Sequence, residues 1–298
     1  MLLNILLTVM APVFLVIVAG MIAARFTSVD VRSLNRLALY TAVPALTLQS
    51  LAEANLAFGE VARLVVAFLL FLVAMTVLAR LLGWWIPESG RRGLIATSVF
   101  GNAANMMLPV SLFAYGELGM QRALILYIVS SLLMFTVGPL VLGSNADLKK
   151  SLRSLAGFPV LWACVAGVLI GASGWTMPAG LERGVSLLAD AAVPLVLLTL
   201  GVQIGRVTAL KPTRVNWFGT GVKLLLAPVV AYGIGVLLGL TGVDLAILTL
   251  LAAMPPAVNN FMLALEFGGN AEQVGRTVIL ATGCALVSLP IVVTLVRI

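Results

Sequence analysis

The stretch "GNAANMMLPVSLFAYG", residues 101–116, lies inside an apolar run long enough to be embedded in lipid. It places two asparagines, a glycine and a proline near the middle of that run, where each unpaired backbone polar group costs several kcal/mol. Irregular backbone is tolerated at membrane depth only where it is buried in protein or lines a cavity. The stretch therefore predicts a discontinuous membrane helix, and the surrounding sequence decides how that helix is used.

The composition indicates an all-α integral membrane protein. Of the 298 residues 61% are hydrophobic and 10% are charged, with a mean hydropathy of +1.15, whereas soluble domains contain about 25% charged residues. The excess of Lys+Arg, 18 against 11 Asp+Glu, is typical of basic cytoplasmic loops rather than of nucleic-acid binding. Because the sequence has no histidine and its two cysteines lie within apolar runs, we expect no metal and no cofactor.

About twenty apolar residues cross a bilayer, and this length predicts ten spans. They are 3–24, 34–52, 61–86, 94–116, 122–143, 155–175, 184–205, 215–240, 244–267 and 274–296. With the N-terminus outside, thirteen basic residues fall on the cytoplasmic side and four on the outer side. The positive-inside rule therefore predicts an inner (plasma) membrane protein with both termini on the outer side.

Two short motifs recur at nearly constant spacing, which predicts an internal repeat. Pro44 and Pro194 lie in similar Ala-Val-Pro contexts 150 residues apart, and Gly116 and Gly268 follow similar segments 152 residues apart. The repeat divides the chain into units of five spans each, residues 1–145 and 146–298. Because five is odd, the second unit is inverted relative to the first, as in secondary transporters.

Spans 4 and 9 occupy equivalent places in the two units, and both are interrupted. In "LAAMPPAVNNFMLALEFGG", residues 251–269, Pro255 and the next proline lack N–H donors, and Met254 is pushed out of helical geometry. In span 4, Pro109 frees the carbonyl of Asn105, and Gly101 tolerates unusual dihedral angles. A simple kink explains either span alone, whereas paired interruptions favour two broken helices that cross.

A broken helix leaves a half-helix N-terminus at membrane depth, with unpaired N–H groups and about half a positive charge. Two such ends and the side-chain amides of Asn102, Asn105, Asn259 and Asn260 form a predicted cradle for a small organic anion. The opening stretch is then half of a substrate site.

Three charged residues within spans are candidates for ion coupling or support. Lys223 lies about nine residues into span 8, where a charge is usually functional, although it could instead snorkel to the interface. Glu266 in span 9 is its predicted partner; the pair would replace a coupling cation or exchange a proton. Asp190 in span 7 is the third candidate.

These features predict a secondary carrier of organic anions, expelled by the inside-negative potential. A channel-like anion uniporter and a small-ligand receptor with a transporter fold are the alternatives. An enzyme is not expected, because histidine ligands and a phosphate-binding P-loop are both absent from the sequence.

Four segments together resemble the auxin efflux carrier family. They are "LNRLALYTAVPALTL" (34–48), "GNAANMMLPV" followed by "YG" (101–116), "KLLLAP" (223–228) and "AAMPPAVNNFMLALEFG" (252–268). The resemblance implies a fold like that of bile-acid symporters and sodium/proton antiporters. It implies a scaffold of spans 1, 2, 6 and 7, a moving transport domain of spans 3–5 and 8–10, a homodimer and a carboxylate substrate.

Residue by residue, the resemblance assigns Asn102, Pro109 and Pro255 to the crossing, and places Val43 and Thr47 on the scaffold facing the substrate. It also places an acid at the position of Glu266. The sequence departs from the family where "GNAANMMLP" replaces the usual glycine-rich pattern, and in its additional asparagines at 259–260. These larger and more polar side chains suggest a substrate smaller and more polar than an indole acid.

Overall fold

The computed structural model describes residues 6–54, 58–142, 157–206, 211–266 and 269–296. In these ranges the chain is helical, apart from connecting segments and one isolated antiparallel bridge between Gly101 and Pro256. The helices are α1 (Ala11–Phe26), α2 (Val31–Leu37), α3 (Val43–Ala52), α4 (Phe58–Leu82), α5 (Glu88–Val99), α6 (Leu108–Thr136), α7 (Gly138–Leu142), α8 (Pro159–Ser173), α9 (Ala179–Gly205), α10 (Arg214–Gly221), α11 (Ala227–Leu237), α12 (Gly242–Ala253), α13 (Asn259–Glu266) and α14 (Ala271–Val296).

Six helical segments in the described ranges are long and apolar enough to cross a membrane, and α8 and α12 are shorter apolar helices. The six are Leu7–Phe26, Phe58–Leu82, Ala103–Thr136, Ala179–Gly205, Arg214–Leu237 and Ala271–Val296. The prediction of a helical membrane protein is confirmed. Ten crossings and an inverted repeat stay predictions.

Four helices of the described chain contain a π-helical turn, and each turn ends two residues before a proline. The turns are Leu6–Met10, Ala38–Ala42, Ala103–Met107 and Val222–Leu226, which precede Pro12, Pro44, Pro109 and Pro228. A proline cannot donate to the carbonyl one turn earlier, so the preceding turn widens instead of ending the helix. These prolines therefore widen a turn without interrupting the helix. One example is the helix that begins within the stretch 101–116.

One set of helices packs through close backbone approach. α1 packs along α9, and α3 packs against α8 and α9. A Cβ atom added to Gly20 would lie 2.5 Å from the carbonyl oxygen of Leu198, and one added to Gly167 would lie 2.9 Å from that of Leu48. Because only glycine fits at such distances, these helices are in direct backbone contact.

A second set of helices, α4–α7 and α10–α14, packs mainly within itself. Polar side chains join them at two ends of the group. At one end the buried guanidinium of Arg122 donates to Asp244 (2.7 Å) and to Glu60 (2.8 Å). At the other end the Asn216 amide donates to the carbonyl of Gln273 (2.9 Å).

Candidate substrate site at the helix crossing

The two interruptions meet in space. The backbone N–H of Asn102 donates to the carbonyl oxygen of Pro255 (2.7 Å), and that of Ala257 donates to the carbonyl oxygen of Phe100 (3.1 Å). These two bonds form a short antiparallel bridge between Gly101 and Pro256. Each interruption therefore satisfies backbone groups that the other leaves unpaired.

The break in span 9 follows from its prolines, as the sequence predicts. α12 ends at Ala253, and Met254 before the prolines is extended, with φ −61° and ψ 141°. The break in span 4 lies at Phe100–Asn102, several residues before Pro109, which is the second residue of α6. Gly101 permits the contact here, because a Cβ atom at this position would lie 3.0 Å from the carbonyl oxygen of Leu251.

On one side of the crossing the helices α5 and α12 end, and their C-termini carry partial negative charge. Lys223 lies on this side, in the π-helical turn between α10 and α11, and is fully buried. Its Nζ donates to the carbonyl oxygen of Ser98 in the last turn of α5 (3.3 Å). A Cβ atom on Gly101 would lie 3.3 Å from the same Nζ. The ammonium group thus compensates these helix ends with a charge from the protein itself.

On the other side the half-helices begin, the first at the π-helical turn Ala103–Met107 and the second at α13. The Asn102 side chain caps the first, because its Oδ1 accepts from the backbone N–H of Asn105 (3.2 Å). Two buried amide atoms, Nδ2 of Asn102 and Oδ1 of Asn105, have no hydrogen-bond partner within the described part of the chain. Buried polar atoms are normally paired, so these two atoms are available for hydrogen bonds with a solute or with water in the adjoining cavity.

A cavity of about 50 Å³ adjoins these amides. Asn102, Asn105 and Asn259 line it, so the structure brings three of the four predicted asparagines together. Its wall also includes side chains that the sequence alone does not single out. Among them are Asn35, Leu39, Tyr127, Ser130, Ser131, Met134 and Gln203.

Three of these residues, Asn35, Leu39 and Gln203, belong to a different packing group from the crossing. Asn35 lies on α2 and Gln203 on α9, and the Gln203 Oε1 atom is also buried without a partner among the described residues. Both lie close in sequence to exposed arginines, such as Arg36 and Arg206. The cavity therefore lies at the junction of the two helix groups, toward their basic end.

The position of Asn35 is fixed by a cap at the start of α2. The Asp30 carboxylate accepts from the backbone N–H of Arg32 (3.3 Å) and from the backbone N–H and hydroxyl of Ser33 (3.0 and 2.8 Å). The hydrogen bond from the Ser33 hydroxyl is the main cause that lowers the pKa of Asp30 below its ordinary value. The cap is therefore fully formed above the ordinary range of aspartate titration and is lost as the pH falls through the lowered pKa.

Five predicted site residues do not line the cavity. Asn260 is fully buried, and its Nδ2 donates across the crossing to the carbonyl of Phe100 (3.0 Å). Thr47 and Val43 are buried within α3, where the threonine hydroxyl donates to the valine carbonyl (2.8 Å). Pro255 accepts the Asn102 bond described above, and Pro109 follows the widened turn at the start of α6.

The other charged candidates lie apart from the cavity or outside the described residues. Asp190 is exposed on the surface of α9. The side chain of Glu266 lies outside the described part of the chain, so its predicted pairing with Lys223 stays a prediction. Among the described residues, the Lys223 ammonium donates to the Ser98 carbonyl.

The sequence matches the family described as "Membrane transport protein" over residues 5–293. An "Uncharacterized transporter" of Methanothermobacter thermautotrophicus is 29% identical over 274 residues, which cover 88% of each chain. A second one, from Methanocaldococcus jannaschii, is 24% identical and covers 85% of each chain. A protein of Rhizobium meliloti with the name "Putative malonate transporter" is 25% identical, covering 91% of this chain and 89% of its own.

Proposed function

The chain belongs to the membrane transport protein family, and from this premise we propose that it is a secondary-active carrier of small organic carboxylate anions. Members of this family are transporters rather than enzymes. This agrees with the prediction that the protein has no enzymatic activity. The proposal adds a substrate class, a site and a mechanism to the family assignment.

One observation supports the substrate class more than any other. The beginnings of two half-helices and the unpaired amide of Asn102 face the same small cavity. Helix N-termini carry partial positive charge and attract anions. A carboxylate would accept from the free Asn102 Nδ2 and replace the water that otherwise solvates it. The name of the Rhizobium meliloti relative agrees with a short dicarboxylate.

The mechanism we propose is elevator-like alternating access. The group α4–α7 and α10–α14 carries the crossing and would move as the transport domain. The group α1–α3, α8 and α9 would be the scaffold. Asn35 and Gln203 contribute to the cavity from the scaffold, while Asn102, Asn105 and Asn259 contribute from the transport domain. A sliding movement would separate these two sets and carry the anion with the crossing.

The cavity adjoins the basic end of both groups, which the positive-inside rule assigns to the cytoplasm. We therefore propose that the described conformation accepts substrate from the cytoplasm, in the cell membrane, with both termini outside. Export follows from this direction, because the inside-negative potential favours anion exit by about 2.3 kcal/mol per charge per 100 mV.

Counterflow in proteoliposomes tests this proposal. Vesicles that contain the purified protein and unlabelled malonate would accumulate labelled malonate transiently, with a rate that saturates, because a carrier exchanges substrate through one site. Protein-free vesicles are the control, and indole acetate is the comparison substrate. A linear flux without counterflow would indicate the channel-like uniporter, and binding without any flux would indicate a receptor. Faster transport of indole acetate than of short carboxylates would contradict the predicted small, polar substrate.

A further inference from the structure

A second and much larger cavity, of about 580 Å³, lies beside the substrate cavity. It is enclosed by α9 on one side and by α13 and α14 on the other, with Val31 of α2 at one end. Its wall is predominantly apolar, and Gln203 and Val258 line both cavities. We call this second cavity the interdomain cleft. Its volume lies within the range of roughly 300–1,000 Å³ typical of pockets that hold organic ligands.

The wall that α14 contributes follows helical periodicity. The residues Gly275, Val278, Ile279, Thr282, Gly283 and Leu286 line the cleft, at intervals of three and four that place them on one face. From the first to the last, this face spans about 16 Å at a rise of about 1.5 Å per residue. One leaflet of a bilayer has a hydrocarbon thickness of about 15 Å, half of about 30 Å. The length of the cleft thus matches the acyl region of a single leaflet.

Three arginines are close in sequence to residues that line the cleft. Arg32, Arg206 and Arg276 lie within two residues of the lining residues Val31, Ile204 and Gly275. Arg276 is engaged by Glu272, and the nearby Asp30 carboxylate is occupied by its capping bonds. None of the ion pairs in the described ranges involves Arg32 or Arg206. Two arginines without a direct ion pair among the described residues therefore accompany an apolar cleft of leaflet length.

We propose that the interdomain cleft binds an anionic phospholipid. One acyl chain lies along the α14 face, and the phosphate-bearing headgroup lies among Arg32, Arg206 and Arg276. Basic pockets between membrane helices on the cytoplasmic side are a known mode of anionic lipid recognition. Because the lipid fills the gap between the two helix groups, its occupancy restrains their relative movement. The site requires only the membrane protein described here and does not depend on which solute is transported.

Gly283 allows a direct test, because a Cβ atom added there meets no other atom within 4 Å. The Gly283→Leu substitution therefore extends a side chain into the cleft from a position with room for its Cβ atom. Gly233 on α11 offers the same open space outside the cleft, so Gly233→Leu is the matched control. The double variant Arg32→Gln with Arg206→Gln removes headgroup charge and leaves the cleft open.

Each variant is purified in detergent and titrated with phosphatidylglycerol or with phosphatidylcholine. Native mass spectrometry then counts the bound lipids, and the melting temperature is measured for the same samples. We expect one tightly bound phosphatidylglycerol in the wild type and in Gly233→Leu, and its loss in Gly283→Leu. The double arginine variant should lose about tenfold to thirtyfold in preference for phosphatidylglycerol over phosphatidylcholine. Melting temperatures without added lipid show whether each variant is folded.

Equal retention of phosphatidylglycerol by Gly283→Leu and Gly233→Leu would overturn the proposal. Equal binding of both lipids to the wild type would also overturn it, because the headgroup would then play no part. If decanoate displaced the bound lipid and was itself transported, the cleft would be part of the substrate site and the lipid assignment would be wrong.

Discussion

The two sides of the helix crossing differ in how their helix ends are compensated. Where α5 and α12 end, the buried Lys223 ammonium donates to a backbone carbonyl. Where the next half-helices begin, Asn102 caps the backbone with one amide atom and leaves the other unpaired beside a cavity. The helix ends with partial negative charge are thus compensated by a side chain of the protein. The helix ends with partial positive charge face a cavity instead.

This difference indicates how a crossing can be stable and still bind solute. A cationic side chain between them allows helix ends of the same sign to approach. The opposite ends keep their binding capacity for an anion that arrives and leaves. Substitutions on the side of Lys223 should therefore lower the stability of the protein. Substitutions on the side of Asn102 should instead lower its affinity for the anion.

The largest effect on stability is expected for Lys223→Met. Methionine keeps much of the buried volume but leaves the Ser98 carbonyl and two helix ends without a cation, which should cost about 2–3 kcal/mol of unfolding free energy. Thermal unfolding in detergent measures this loss. Lys211→Met, at an exposed lysine, is the control and should leave the melting temperature unchanged. A Lys223→Met protein as stable as the wild type would show that the ammonium group is dispensable.

A smaller effect is expected for Gly101→Ala. The new Cβ atom would lie 3.0 Å from the Leu251 carbonyl oxygen and 3.3 Å from the Lys223 Nζ, so the crossing must open slightly, at a cost of about 1–2 kcal/mol. Gly221→Ala, where a Cβ meets nothing within 4 Å, is the matched control in the same unfolding assay. Equal melting temperatures for both variants would mean that the backbones at Gly101 are not in close contact.

The smallest effect is expected for Asn260→Leu. The substitution removes the bond from the Asn260 amide to the Phe100 carbonyl, which still accepts from the N–H of Ala257. The cost should be about 1 kcal/mol, the usual net value of one hydrogen bond. Substrate affinity should change little, because Asn260 does not line the cavity. A large loss of affinity with unchanged stability would place this amide in the binding site instead.

The sequence predicts the crossing where the local chemistry is unambiguous. Two adjacent prolines at 255–256 force a break in span 9, and the break lies there. Pro109 is less decisive, because a single proline widens a turn as readily as it ends a helix, and the chain breaks at Gly101 instead. Local rules therefore predict that both spans are irregular but locate only one break.

The remaining parts of the site depend on contacts between distant segments. Asn35 and Gln203 are single polar residues near the ends of apolar spans, where they resemble ordinary interfacial residues. The hydrogen bond from Lys223 to the Ser98 carbonyl could not be predicted either, because a sequence does not show which backbone carbonyls lack a partner. Side-chain charge suggests Glu266 as the partner of Lys223, and that pairing stays a prediction beside the observed bond to the Ser98 carbonyl.

The most direct test of the central claim is malonate binding to purified Asn102→Asp, measured by isothermal titration calorimetry. Aspartate keeps the oxygen that caps the Asn105 N–H but replaces the free Nδ2 donor with a negative charge. Asn270→Asp is the matched control, because Asn270 caps α14 in the same way (3.0 Å to the Gln273 N–H) on an exposed surface. If the open side of the crossing binds anions, Asn102→Asp abolishes malonate binding and Asn270→Asp retains it. Equal malonate affinity in the wild type and both variants would contradict the assignment of this side of the crossing as the anion site.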